Sequence, residues 1–87
     1  MKTLVLKKEH FKKSQSYWSD YIGQEDITNF DGNIEIDADL GWVHFATSLK
    51  ASGYIRAAAG SGIKAGWGIE AGEGIEAGSG IEAGSGI

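Results

Sequence analysis

The sequence contains no cysteine and no proline, and only two histidines among its 87 residues. Without cysteine the chain forms no disulfide bond and offers no thiolate to a metal ion or to a reaction. Without proline every residue keeps its backbone N–H donor, which suits long hydrogen-bonded ladders. Two histidines are too few for a histidine-based metal cluster, so we expect no catalytic residue, no metal site and no cofactor.

Long apolar runs are also missing, because no stretch approaches the roughly 20 residues that a membrane-spanning helix needs. The apolar stretch after Met1-Lys2 is too short for a secretory signal. The formal net charge of −4 argues against nonspecific binding to nucleic acid or to acidic membranes. We therefore expect one small cytoplasmic domain with no nucleic-acid partner and no membrane association.

Charge is unevenly distributed along the chain. Residues 2–13 carry five lysines, whereas residues 14–49 carry seven acidic residues and no lysine or arginine. A solvated surface whose two parts attract each other is the simpler interpretation, and an acidic surface for a basic protein partner is the alternative. The candidate acidic surface comprises Asp20, Glu25, Asp26, Asp31, Glu35, Asp37 and Asp39.

Residues 1–42 predict a cap that covers one end of the molecule. Residues 4–6 are typical of a short strand, and an Asp-Gly turn signal at residues 31–32 precedes alternating apolar residues that indicate further strands. Between these segments, apolar residues recur at helical spacing before Gly23, which predicts a helix over about residues 9–22. The residues on that helical face are Phe11, Trp18, Tyr21 and Ile22.

A six-residue repeat occupies residues 43–87. Isoleucine recurs at positions 63, 69, 75, 81 and 87, and alanine follows two residues after each of the first four. Because side chains two apart on a strand share a face, these residues point inward and the residue between them points outward. Two residues are inserted near Ala58-Ala59, and the repeat continues upstream as Val43-His44-Phe45, Leu49-Lys50-Ala51 and Ile55-Arg56-Ala57.

This step fits one side of a triangular parallel β-solenoid with about 18 residues per coil. Such a coil stacks opposite charges, namely Lys50 on Glu70, Arg56 on Glu76 and Lys64 on Glu82. A coil of about 12 residues would stack Glu70 on Glu82, an unfavourable like-charge pair. The predicted inward columns are Val43–Ile63–Ile81, Leu49–Ile69–Ile87 and Ile55–Ile75. The predicted fold class is therefore mostly β, a short triangular parallel β-solenoid with an N-terminal strand–helix cap.

The phrases I-E-A-G-S-G at residues 75–80 and 81–86 resemble the unit of hexapeptide-repeat β-helices. The repeat is also similar to that of bactofilin-type polymer-forming proteins, whose short aliphatic-x-small phrases wind a triangular solenoid. The resemblance covers residues 43–87 only. Trp67 and Glu73 stand where the pattern has a small residue, which leaves the handedness open. Some hexapeptide-repeat enzymes are acyltransferases with a histidine base, but we expect His44 to be a surface histidine.

The sequence stops at Ile87, which begins a new repeat. Solenoid ends carry unpaired backbone groups, so this end predicts an edge that pairs with a second copy through Ile81, Ala83 and Ile87. The cap at the other end favours a closed dimer over a filament. A shortened form of a longer repeat protein is the alternative explanation. Trp67 is either an interface anchor or a side chain folded over neighbouring glycines.

Two hypotheses of function follow. The first is a non-enzymatic structural or protein–protein interaction module that self-associates through its C-terminal edge. The second is a small acidic inhibitor of the type that phages and mobile elements encode, which binds and blocks a nucleic-acid-processing partner. The basic residues Lys50, Arg56 and Lys64 weaken the second hypothesis, because a nucleic-acid mimic should not dilute its negative charge.

Overall fold

A computed structural model describes residues 2–13 and 18–84. They form a β-solenoid of about three turns with about 18–20 residues per turn, which confirms the predicted fold class. The described strands are β1 Lys2–Leu6, β2 Phe11–Lys13, β3 Trp18–Tyr21, β4 Gly32–Ile36, β5 Gly41–Phe45, β6 Leu49–Ala51, β7 Tyr54–Ala57, β8 Ser61–Ala65, β9 Ile69–Ala71, β10 Gly74–Ala77 and β11 Gly80–Ala83.

These strands form three sheets, which are the three faces of the solenoid. Face 1 has the strand order β1-β4-β7-β10, face 2 has the order β11-β8-β5-β3-β2, and face 3 pairs β6 with β9. The strand pairs are parallel except for β2 with β3, which is antiparallel. The chain therefore passes from face to face, and each parallel strand stacks on the strand one coil earlier.

The core lies between the faces and consists of inward columns with the predicted register. Three predicted columns are present as Val43–Ile63–Ile81, Leu49–Ile69 and Ile55–Ile75, whereas Ile87 lies outside the described residues. Ile55 and Ile63 are 0% exposed because a coil lies on either side of each. Fully burying such a side chain stabilises a protein by about 1.5–3 kcal/mol, so these columns hold the coils together.

The parallel stacking extends upstream of Val43, where the sequence predicted only a cap. Ile34 of β4 pairs with Leu4 of β1 on one side and with Ile55 of β7 on the other. Gly32 begins β4 at a φ of +145°, and a side chain there would collide with the backbone carbonyl of Lys2. Glycine at this position thus allows β1 and β4 to approach closely.

The two inserted residues lie in a corner between faces 1 and 2. The N–H of Asp39 donates to the carbonyl oxygen of Ala59 at 3.0 Å, and the N–H of Gly41 donates to that of Gly60 at 2.9 Å. Successive corners are therefore hydrogen-bonded to each other. The faces keep their register because the extra length stays within the corner.

Ser61 fastens this corner from the inside and is fully buried. Its hydroxyl donates to the carbonyl oxygen of Asp37 at 2.5 Å and accepts from the N–H of Leu40 at 3.0 Å. Both backbone groups belong to the preceding corner. One side chain therefore satisfies two polar groups that the stacking would otherwise leave buried without a partner.

The predicted helix over residues 9–22 is wrong. Lys8–His10 form a single 3-10 turn, and β2 and β3 pair as antiparallel strands; the intervening residues 14–17 lie outside the described residues. Phe11 lies opposite Tyr21 in this pair. Their spacing places them together either on one helical face or across a hairpin, so the pattern fits both structures. The strand is favoured because β3 also pairs with β5 and extends face 2.

Aromatic side chains and a lysine close the N-terminal end of face 2. The rings of Phe11, Tyr21 and Phe45 contact each other with centroid distances of 5.4–5.9 Å. Burial raises the pKa of the Tyr21 hydroxyl. Lys13 pairs with Ser19, which pairs with Val43, so a charged residue occupies the outermost position of an inward column. An inward-pointing charge of this kind opposes pairing with a further strand.

Candidate functional site

The C-terminal end of the solenoid consists of β9, β10 and β11, one strand from each face. Among the described strands, β9 pairs only with β6, β10 only with β7 and β11 only with β8. The backbone groups of a parallel strand point alternately toward one neighbour and away from it. Three strand edges therefore lie together at one end of the molecule, and we call this surface the C-terminal end face.

On faces 1 and 2 the inward columns finish at this surface in partly exposed side chains, whereas Ile69 on face 3 is 2% exposed. Ile75 and Ile81 are half-buried, whereas Ile55 and Ile63, one coil earlier in the same columns, are 0% exposed. On faces 1 and 2 the end face therefore combines strands that have one described neighbour with apolar side chains that a further coil would cover.

The predicted interface residues Ile81 and Ala83 both belong to the C-terminal end face, and Ile87 lies outside the described residues. The sequence prediction missed the equivalent residues on faces 1 and 3, although the repeated Ile-Glu-Ala phrase marks them. These residues are Ile69, Ala71, Ile75 and Ala77.

Three ion pairs join the strands of the C-terminal end face to the preceding coil, one on each face of the solenoid. They join Lys50 Nζ to Glu70 Oε2 at 3.3 Å, Arg56 Nε to Glu76 Oε1 at 3.9 Å and Lys64 Nζ to Glu82 Oε1 at 2.5 Å. These are the pairs that the coil length predicts. Exposed pairs contribute at most about 1 kcal/mol each, so they specify register more than they add stability.

Acidic residues have stacked partners elsewhere in the outward rows. On face 1, Glu35 stacks on Arg56, and its carboxylate accepts a hydrogen bond from the Tyr54 hydroxyl. This hydrogen bond is the main reason that the pKa of Tyr54 is raised. On face 2, His44 stands between Asp20 and Lys64 in the row. In each row the outermost residue at the C-terminal end face is a glutamate.

Aromatic rings cover part of the outer side of face 2. Trp18 stacks on His44 at a centroid distance of 5.0 Å, and His44 Nδ1 lies 2.8 Å from Asp20 Oδ1. The Trp42 ring lies across Gly62, where an added Cβ would come within 2.9 Å of it. His44 thus packs against Trp18 and Asp20 on the outer side of face 2, as expected for a surface histidine.

Trp67 lies in the corner between β8 and β9, next to the C-terminal end face. Its side chain is 65% exposed, so it is not folded over the neighbouring glycines. A Cβ at Gly84 would lie 3.7 Å from the carbonyl oxygen of Trp67, which places the final described corner over this one. An exposed tryptophan beside free strand edges is suited to anchor an interface.

The seven residues of the candidate acidic surface are distributed over several parts of the molecule. Face 1, face 2, the corner before β5 and the segment before β4 each carry some of them. Four have side-chain partners within the chain, which are Asp20 with His44, Asp26 with Thr28, Asp31 with Ser52 and Glu35 with Tyr54. Hydrogen bonds from Thr28 lower the pKa of Asp26.

No cluster of three or more histidine or carboxylate side chains that could hold a metal ion occurs within residues 2–13 and 18–84. Within the same residues, no helix has the length and apolarity needed to cross a membrane.

Comparisons with known proteins gave no match. No protein-family model, no curated protein and no solved structure matches this chain.

Proposed function

We propose that this chain is a non-enzymatic structural or protein–protein interaction module that self-associates through its C-terminal end face. The observation that carries the proposal is the change in burial along single columns, from fully buried Ile55 and Ile63 to half-buried Ile75 and Ile81. A second copy supplies further apolar neighbours and pairs with the strands β9, β10 and β11, each of which has one neighbour among the described strands. The three-faced coil also supports a relation to hexapeptide-repeat and bactofilin-like solenoids, and the composition supports a cytoplasmic location.

On face 2 the two ends of the solenoid differ in a way that favours a closed dimer, whereas on face 1 the edge strand β1 has β4 as its one described neighbour. The antiparallel strand β2 and the inward position of Lys13 oppose strand addition at the N-terminal end of face 2. A two-fold axis perpendicular to the solenoid axis brings two C-terminal end faces together, with their strands antiparallel. Under this symmetry one face pairs with its own copy, and the other two faces pair with each other.

This dimer is expected to be weak. Completing the burial of Ile75 and Ile81 stabilises the dimer by about 25 cal/mol per Å² of apolar surface buried. Association costs several kcal/mol in lost translational and rotational freedom. Each Ile-Glu-Ala edge also meets another Ile-Glu-Ala edge, which brings the glutamates of the two copies close together. The equilibrium should therefore depend visibly on protein concentration.

Sedimentation velocity over a wide concentration range tests the proposal. We expect the wild-type chain to shift from monomer to dimer and Ile81→Lys to remain monomeric, because a buried lysine at the joined ends is unfavourable. Val5→Lys, an outward substitution on β1, is the matched control and should dimerise like the wild type. Hydrogen exchange of β9, β10 and β11 gives a second readout, since dimerisation should slow it. A wild-type chain that stays monomeric at its highest soluble concentration contradicts the proposal.

The blocking hypothesis receives less support from the geometry. Four of the seven candidate acids already have side-chain partners within the chain, and the acids do not share one face. We therefore rank self-association first.

A further inference from the structure

The neighbours that β9, β10 and β11 already have share one chemical pattern. On face 2 the Ile81-Glu82-Ala83 edge pairs with Ile63-Lys64-Ala65. On the other faces the same kind of edge pairs with Ile55-Arg56-Ala57 and Leu49-Lys50-Ala51. All three are strands with a basic residue between an aliphatic residue and an alanine.

We propose that the preferred occupant of the C-terminal end face is a strand of this pattern from another protein, with lysine or arginine between two small or aliphatic residues. The inference rests on the premise of the proposed function that this end accepts further strands. The apolar residues of such a strand extend the inward columns over Ile75 or Ile81. Its basic residue lies beside the glutamate that ends each outward row.

Charge complementarity distinguishes this occupant from a second copy. Glu70, Glu76 and Glu82 each already contact one basic side chain, and a carboxylate has acceptor sites for a second one. A basic strand therefore places a cation on either side of each glutamate. A second copy places a glutamate beside a glutamate instead, which is unfavourable at strand spacing. The basic strand should accordingly displace the self-associated form.

Synthetic peptides of one coil length provide the direct test. The probe is three copies of Gly-Ile-Lys-Ala-Gly-Ser, labelled for fluorescence anisotropy and added to the wild-type chain at low concentration. The matched peptides carry glutamate or glutamine in place of lysine, and a scrambled lysine peptide keeps composition but loses alternation. We expect the lysine peptide to bind at least about tenfold more tightly than the glutamate peptide, and the scrambled peptide to bind no better than the glutamate peptide.

The variant E70Q/E76Q/E82Q should change the affinity for the lysine peptide and the affinity for a second copy in opposite directions. Its affinity for the lysine peptide should fall about tenfold, whereas its self-association should tighten because like charges are removed. The control variant E25Q/D37N/D39N removes the same number of charges away from the C-terminal end face. It should change neither measurement by more than about twofold.

Each outcome separates the two proposals. Equal binding of the lysine, glutamine and scrambled peptides, or unchanged lysine-peptide binding by E70Q/E76Q/E82Q, overturns the basic-strand inference. If no peptide binds while the wild type dimerises, the basic-strand inference fails and self-association stands. If the lysine peptide binds while the wild type stays monomeric, self-association fails and the basic-strand inference stands.

Discussion

The position of a residue along the stack determines its burial in this molecule. Ile63 and Ile81 both follow a glycine and lie in the same column, yet only Ile63 is fully buried. The difference arises because Ile63 lies between two described coils and Ile81 lies at an end. The repeat therefore contains matched pairs of residues that differ mainly in burial.

Truncating these two isoleucines should give unequal losses of stability. Ile63→Ala should lower the free energy of unfolding by about 2–5 kcal/mol, because it leaves a cavity in the closed core. Ile81→Ala should cost less than half as much, since its site is already partly open. Chemical denaturation at a concentration where the chain is monomeric measures both values. Equal losses would mean that the end of the stack is as closed as its centre.

At the scale of elements, the corner between faces 1 and 2 acts as a separate structural unit. It absorbs the inserted residues, while Ser61 connects it to the preceding corner through two backbone groups. The last coil has a shorter corner in which the equivalent serine, Ser79, is exposed. The two serines therefore offer another matched comparison.

Ser61→Ala should destabilise the fold by about 1–3 kcal/mol, because the N–H of Leu40 and the carbonyl of Asp37 lose their buried partner. Ser79→Ala should have an effect within about 0.5 kcal/mol, as is usual for exposed sites. Thermal or chemical unfolding of the two variants measures the difference. A Ser61→Ala protein as stable as the wild type would show that the corner does not depend on this hydrogen-bonding pair.

The sequence predicts some elements well and others poorly for identifiable reasons. The register of residues 43–84 is predictable because a coil of about 18 residues stacks Lys50, Arg56 and Lys64 each on a glutamate, whereas a coil of about 12 residues stacks Glu70 on Glu82. The antiparallel pairing of β2 with β3 is not predictable, because the spacing of Phe11 and Tyr21 suits a helix equally well.

The position of β1 and β4 in face 1 is also hidden from the sequence. Leu4 and Ile34 lie far apart in the sequence, with β2 and β3 between them, so no short period marks their pairing. Parallel strands pair through register and side-chain burial, whatever the length of their connection. For the same reason, the sequence identifies Ile81 and Ala83 but not the whole C-terminal end face, which requires three faces to meet.

At the scale of the whole molecule, stability should decrease from the middle coil toward the C-terminal end face. Strands β7 and β8 have neighbours on both sides, whereas β10 and β11 have one among the described strands. In repeat proteins each coil gains stability from its nearest neighbours, so end coils open more readily. Native-state hydrogen exchange should show the slowest amides in β7 and β8 and faster ones in β10 and β11. Uniform protection along the stack would contradict this expectation.

The three identical Ile-Glu-Ala phrases have a consequence for how the chain folds. Any of the three phrases could occupy any face. A shift of the chain by one repeat still places isoleucine and alanine inward and glutamate outward. The last coil therefore does not hold enough information to find its own place. That information lies in the preceding coil. There Lys50 and Arg56 precede the corner with the inserted residues and Lys64 follows it, so the three faces of that coil are distinguishable. The C-terminal coil must consequently form last, on a finished template, and weakening that template should populate kinetic traps in which the tail is rotated by one face.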